Sequence, residues 1–471
     1  MVYFSIIMVV YFSITIYSIG MNEKNMKGKY LIMGMLLLSV TAAAQEEGKE
    51  KNQFTLDVQL RTRGEYRNGA REPLSEDEKA ATFINNRARL TMEYVRLFDN
   101  EKLPKLTVRM GIQHVGVWGQ DPSKDMNGRV SLNEGWAKIE GRQGLFAQIG
   151  RQQLAFDDER LFSRSDWHVA GCWHDALRVG YERDAHKLHA VFAYNQNDEN
   201  VKGGNYFGEG GQSYKSMLTF WYHYQKQPKG LGVSLLFANV GQETGTPEEA
   251  KTQYMQTMGT HLTYSPGKWN LSGSVYLQTG KNEEKLSTLA FMMGMRAGYA
   301  ISDEWRIDAG YDYLSGERYK EVRQADDGSY ELIKKDATKS KAFSTLFGSG
   351  HGFYGSMDYF YSAHFIDGLK PGLQDVLIGA TFKPSKRLSM SLTLHNFMTA
   401  SNVLVSSKNL GQELDYRIDW KVMKDVTLFG GYSMMLGTKT MTFVKGGHHK
   451  RWQDWAWVSL NINPRIFSFK K

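Results

Sequence analysis

Cysteine is all but missing from this sequence. Cys172 stands alone among 471 residues, so no disulfide can form within the chain. Proline is scarce too, at 9, which leaves room for long uninterrupted strands. Beyond Ala44 no apolar run approaches the ~20 residues of a membrane-spanning helix. With a mean hydropathy of −0.46, this excludes a bundle of membrane helices. A transmembrane β-barrel stays open, because lipid-facing and lumen-facing residues alternate and average out. A basic arm is missing as well. The net charge is +8, but both signs are spread along the chain, and nucleic acid is not expected as a partner.

What is present points to strands. Gly is frequent, at 47, and Tyr, Phe and Trp number 25, 24 and 11. In "FTLDVQLRTRGEY", Phe54, Leu56, Val58 and Leu60 alternate with Asp57, Gln59, Arg61 and Arg63. Extended backbone sends neighbours to opposite faces, so one face is apolar and the other charged. Ala88, Leu90, Met92 and Tyr94 interleave in the same way with Arg87, Arg89, Thr91 and Glu93. The pattern returns over 106–113, 269–278, 305–313 and 410–420.

The links between these runs alternate in length. Those over 68–81, 118–130, 152–175, 196–213, 241–254, 315–374 and 438–451 are long. Those over 99–105, 141–144, 183–187, 227–230, 265–268, 300–304, 384–387 and 423–425 are short. The fold expected is therefore all-β: a single transmembrane up-and-down antiparallel β-barrel of about 18 strands, with long outer loops and short periplasmic turns. A soluble propeller or sandwich shares the alternation without needing the long–short rhythm. In a barrel the apolar phase faces lipid. Tyr66, Tyr94, Trp305, Tyr313 and Trp420, near strand ends, then suit interfacial girdles.

The N-terminus carries a targeting pattern. Lys27 and Lys29, the apolar run from Tyr30 to Val40, and Ala42-Ala43-Ala44 form a charged region, a short apolar region and an A-x-A site. Residues 1–25 are read as lying upstream of the true start, 26–44 as a signal peptide and 45–53 as a short periplasmic segment. The barrel is placed at 54–463 and a C-terminal tail at 464–471. The location expected is the outer membrane of a Gram-negative bacterium, after signal-peptide cleavage.

Two stretches go beyond pattern. "IGRQQLAFDDERLF" (149–162) and "NLGQELDYRIDWKV" (409–422) resemble the alginate-export family of outer-membrane barrels. The cores Gly150-Arg151-Gln152 and Leu410-Gly411-Gln412-Glu413-Leu414-Asp415 match best; "LTLHNFM" (392–398) and "FGSGHGF" (347–353) are weaker echoes. The resemblance implies an 18-stranded barrel with an arginine-rich passage for an anionic polysaccharide. The late loop departs from that pattern. Lys339 and Lys341 are followed mostly by small or aromatic residues, where more arginine would be expected.

The predicted lumen phase carries cations: Arg61, Arg63, Arg87, Arg89, Arg109, Lys138, Arg178, Arg296, Arg306 and Arg417, with Arg151 at a strand end in the matched core. Asp57, Glu65, Glu93, Glu134, Asp308, Glu413, Asp415 and Asp419 share that phase. Guanidinium groups can replace the hydration that a carboxylate loses in a narrow pore. Carboxylates between them keep the cations apart. The structural alternative is an ion-pair ladder that merely satisfies a wet interior.

The function expected is an outer-membrane channel for an anionic polysaccharide or oligosaccharide. An anion-preferring uptake porin for small acidic solutes is the alternative. A loop-borne hydrolase ranks last, since neither a G-x-S-x-G elbow nor an H-E-x-x-H helix is present. No cofactor is expected. His168, Cys172 and His174 share one loop, but nothing in the sequence supports a metal site there. The partners expected are outer-membrane lipid, the anionic saccharide and periplasmic export components, around a monomer.

Overall fold

A computed structural model describes residues 50–98, 104–124, 129–208, 210–324, 330–361, 365–403 and 407–470. The signal peptide and the upstream segment lie outside these residues. Thirteen strands come first: β1 (Glu50–Asn68), β2 (Ala81–Phe98), β3 (Lys105–Val117), β4 (Ser131–Glu140), β5 (Leu145–Gln152), β6 (His174–Arg183), β7 (His186–Tyr194), β8 (Ser216–Gln225), β9 (Gly232–Thr244), β10 (Lys251–Tyr264), β11 (Trp269–Lys281), β12 (Ser287–Ala300) and β13 (Trp305–Leu314). The long link that follows holds a hairpin of its own, β14 (Tyr319–Gln324) with β15 (Tyr330–Lys334), and the two-residue β16 (Lys339–Ser340). Then come β17 (Leu373–Ser385), β18 (Leu388–Met398), β19 (Asn409–Met423), β20 (Val426–Gly437), β21 (Gln453–Ile462) and β22 (Arg465–Lys470). A seven-residue helix, α1 (Lys439–Lys445), sits in the link before β21.

Each wall strand pairs antiparallel with its predecessor, β17 following β13 across the long link. The last two strands close the ring. Leu60–Asn68 of β1 pair with β21, and Gln53–Asp57 pair with β22. β21 and β22 are thus one strand interrupted at Asn463-Pro464. Proline lacks an N–H for the ladder, but its carbonyl still accepts from Val58 N at 3.0 Å. The barrel is closed, with 18 strands. Two expected boundaries shift. β1 begins at Glu50, inside the stretch read as a periplasmic segment, and residues 465–470 are sheet rather than tail. The alternation was too weak at both ends to mark them.

The phase is the one a membrane dictates. In β12, Leu289 is 61% exposed while its neighbour Ala290 is fully buried. In β17, Ile378 is 62% exposed and Asp375 is fully buried. A soluble sheet would invert this. Trp269, Trp305 and Trp420 stand exposed near the short-turn end, with Trp305 stacked on Phe382 at 4.4 Å. Ile378→Arg should therefore cost about 2–4 kcal/mol in urea unfolding from phospholipid vesicles, as a charge on the lipid face of a barrel does. An unchanged transition would mean that this face does not meet lipid.

The short turns share one end with both termini, as the rhythm implied. One long link is shorter than expected, because β9 and β10 run on to Thr244 and Lys251 and leave only 245–250 between them. Glycines in the two matched cores have a physical reason. Gly150 (φ +118°) and Gly411 (φ +134°) adopt backbone that L residues avoid, and a Cβ on either would lie 2.2 Å from a carbonyl of the neighbouring strand.

Candidate functional site

Two links turn inward. Residues 153–173, after β5, and 341–361, before β17, pack against the inner wall and bury the main apolar cluster inside the barrel. The late loop therefore enters the lumen, a point its sequence left open. The two segments are joined by an isolated bridge, Phe162 to Phe347. Phe347 N donates to Leu161 O at 2.9 Å, and Ser163 N to Phe347 O at 3.0 Å. Leu154, Phe162, Tyr354, Met357 and Tyr359 are buried between them and the wall. Asp157, Glu159, Ser165, Leu346, Tyr354 and Asp358 have positive φ without being glycine. Such backbone persists only where surrounding contacts fix it.

The basic wall of β1–β3 holds the first segment. Arg61 donates to the carbonyls of Asp166 (2.6 Å) and His168 (3.2 Å). Arg87 reaches His168 O (2.8 Å) and Val169 O (2.6 Å), and Arg63 reaches Trp167 O (3.1 Å). Gln113 and Asn133 donate to Ala170 O at 2.9 and 3.3 Å. Five successive carbonyls are thus satisfied by inward side chains. Charge closes the joint: Asp166 pairs with Arg87 at 2.7 Å and Arg61 at 3.2 Å. Trp167 lies between the Arg63 guanidinium, 3.9 Å from its ring, and His351 of the second segment, stacked at 4.0 Å.

On the far wall Arg160, from the first segment, meets Asp312 of β13 at 2.7 Å; both side chains are buried. Asp312 also accepts from Arg296 at 3.0 Å. Burial opposes the Arg160 charge, but Tyr354, Asp312 and Asp158 outweigh it and raise its pKa. Asp157 accepts from Trp221 Nε1 at 3.0 Å. Burial pushes its carboxyl up, and the hydrogen bonds from Ser234 and Trp221 reverse this only in part. The second segment rests on carboxylates: Met357 N donates to Glu413 at 2.8 Å and Ser356 N to Asp415 at 3.2 Å. His395 Nδ1 lies 2.9 Å from Asp375.

The register turns most of the expected residues inward. Beyond those above, Glu65 accepts from Arg63 (2.8 Å), Asn85 (2.9 Å) and Trp455 (3.1 Å). Arg89 donates to Gln113 at 2.7 Å, and Arg109 pairs with Glu93 at 2.9 Å and Glu134 at 3.2 Å. Lys138 pairs with Glu140 at 2.7 Å, and Arg178 donates to Gln148 at 2.6 Å. Nearer the short-turn end Arg306 binds Asp308 at 2.7 Å, Arg417 binds Asp419 at 2.9 Å, and Asp57 takes Arg465 at 2.8 Å.

Arg151 is the correction. It pairs in register with Gly135, on the outward face shared with Ile149, and forks onto Asp175 at 2.9 and 2.8 Å. Its place in the matched core, not the alternation, had put this strand-end arginine among the lining residues. His174, buried, bonds Tyr214 at 2.9 Å, and among the described residues no three His, Cys, Asp or Glu side chains converge as metal ligands.

Arg160, Asp166, Asp312, Asp375 and His395 were not among the expected lining residues. Asp312 stood in the β13 alternation and could have been found from it. Arg160 and Asp166 lie in an aperiodic link that gives no phase to read. Beneath the first segment lies a cavity of about 450 Å³, lined by Asp57, Gln59, Arg89, Thr91, Arg109, Asp166, Asp425, Asn463 and Arg465. It runs from Asp166, within the barrel, to the short turn at Asp425.

Solved structures of similar shape are outer-membrane proteins. OprD of Pseudomonas aeruginosa is 10% identical, with 88% of this chain and 94% of that chain covered and a TM-score of 0.56. OccAB2 of Acinetobacter baumannii is 11% identical, covering 88% and 98%, also at 0.56. OpdO of Pseudomonas aeruginosa is 12% identical with the same coverage and score. At such identities the likeness concerns the fold alone. No curated protein matches the chain in sequence. The family model described as "Alginate export" matches residues 38–436. A closed outer-membrane barrel whose matched blocks meet inside its lumen thus belongs to the alginate export family.

Proposed function

We propose that the barrel passes an acidic saccharide, a uronate oligomer, across the outer membrane. One observation carries this: the cavity sets the guanidiniums of Arg89, Arg109 and Arg465 beside the carboxylates of Asp57, Asp166 and Asp425, with Gln59, Thr91 and Asn463 between. A simple anion needs donors only. A uronate needs guanidinium for its carboxylate and acceptors for its hydroxyls, and this wall offers both. The family's printed description supports the same class. The inward segments favour short oligomers over a long polymer, and uptake of small acids is the second reading on that ground. The volume lies within the range of small-ligand pockets, about 300–1,000 Å³.

The test is single-channel recording in planar bilayers. A trimer of uronic acid units should interrupt the current in resolved events. The same trimer with its carboxyls methyl-esterified should not. Arg89→Glu should weaken the block and shift the reversal potential in a KCl gradient toward cations. Equal block by the acid and the ester would exclude carboxylate recognition. A potential unmoved by Arg89→Glu would exclude a role for that wall.

A further inference from the structure

We propose that Asp166 is a resident counter-ion, standing in the basic wall where a solute carboxylate would bind, and that it sets how tightly the passage holds an anionic solute. This rests on the proposed function and adds the residue that tunes it. Arg87 and Arg61, its partners at 2.7 and 3.2 Å, keep 0% and 11% side-chain exposure, whereas Asp166 keeps 59%. The cations are covered, and the carboxylate lines the cavity together with Arg89 and Arg109.

Asp166 is one of several anchors of its segment. The carbonyls of residues 166–170 already hold it to Arg61, Arg63, Arg87, Gln113 and Asn133. The segment thus keeps its seat in Asp166→Asn, while the exposed side of this carboxylate acts on what enters the cavity. Burial pushes its carboxyl up, but Arg87 and Arg61 more than reverse this and hold it below the ordinary carboxylate range. It stays ionised at neutral pH. An arriving carboxylate meets a wall already partly neutralised, binds less tightly and leaves sooner. Conduction needs such release.

Asp166→Asn keeps the shape and removes the charge. The uronate trimer should block this variant at a concentration on the order of tenfold lower than wild type, and the KCl reversal potential should move toward chloride. Asp184→Asn, an equal charge change on an exposed short turn, should leave both unchanged. If the trimer blocks wild type and Asp166→Asn at one concentration, the role given to Asp166 is wrong and the saccharide reading stands. If the trimer blocks neither but chloride selectivity rises in the variant, Asp166 tunes the wall and the saccharide reading falls. If the trimer blocks neither and chloride selectivity is unchanged, both fall.

Discussion

Asp312→Asn is expected to destabilise the barrel by about 3–5 kcal/mol, the usual cost of breaking a buried ion pair from one side. Asp312 has no exposure, and it is shared by Arg160 at 2.7 Å and Arg296 at 3.0 Å. The amide keeps the shape but leaves two guanidiniums short of a charge. Arg160 retains Asp158 at 3.1 Å, the Tyr354 hydroxyl at 3.3 Å and the face of Phe353 at 4.1 Å. These partners hold the side chain in place, so its charge has no path to water. Urea unfolding of the reconstituted protein reads the loss. The double variant Arg160→Met/Asp312→Asn should lose less than the sum of the single losses, because no orphan charge remains from that pair. Additive losses would mean that the two side chains do not act together. Open-channel noise should rise in Asp312→Asn, since this joint ties the first inward segment to the far wall.

The wall was legible because its physics is periodic. Alternation told which residues of β1, β2, β13 and β19 share a face, and lipid outside decided which face that is. Glu413 and Asp415 followed from that rule and also stand in a matched core. What it could not give is what stands opposite. Arg61 and Arg87 were read as lining for a solute, yet backbone carbonyls from an aperiodic loop take most of their donors. Arg151 failed for a different reason: it entered the expected lining through its place in the matched core, whereas unbroken pairing puts it on the outward face with Ile149. The motifs gave more than the periodicity. Phe347 of one block bridges to Phe162 of another, and the segment beginning at Phe347 seats Met357 on Glu413 of a third. Blocks far apart in the chain meet inside the lumen. Their order in the sequence could not have told this.

Replacing residues 345–358 with a short glycine–serine connector should raise single-channel conductance several-fold while leaving block by the uronate trimer in place. Conductance should rise because this stretch fills lumen: Met357 and Tyr354 are buried in it, with Phe397 and Met292 of the wall among the same apolar cluster. The carboxylates it covers can accept water instead, so Glu413 and Asp415 lose backbone donors but gain a solvated environment. Block should persist because the cavity at Arg89, Arg109 and Asp166 is built by β1–β3, the first segment and residues 425, 463 and 465, none of them in the replaced stretch. That segment loses its bridge to Phe347 and the stack of His351 on Trp167, but keeps every carbonyl bond to the arginine wall. Unchanged conductance would place the narrowing elsewhere. Wider conductance with block abolished would mean that the trimer is held by the second segment rather than by the basic wall.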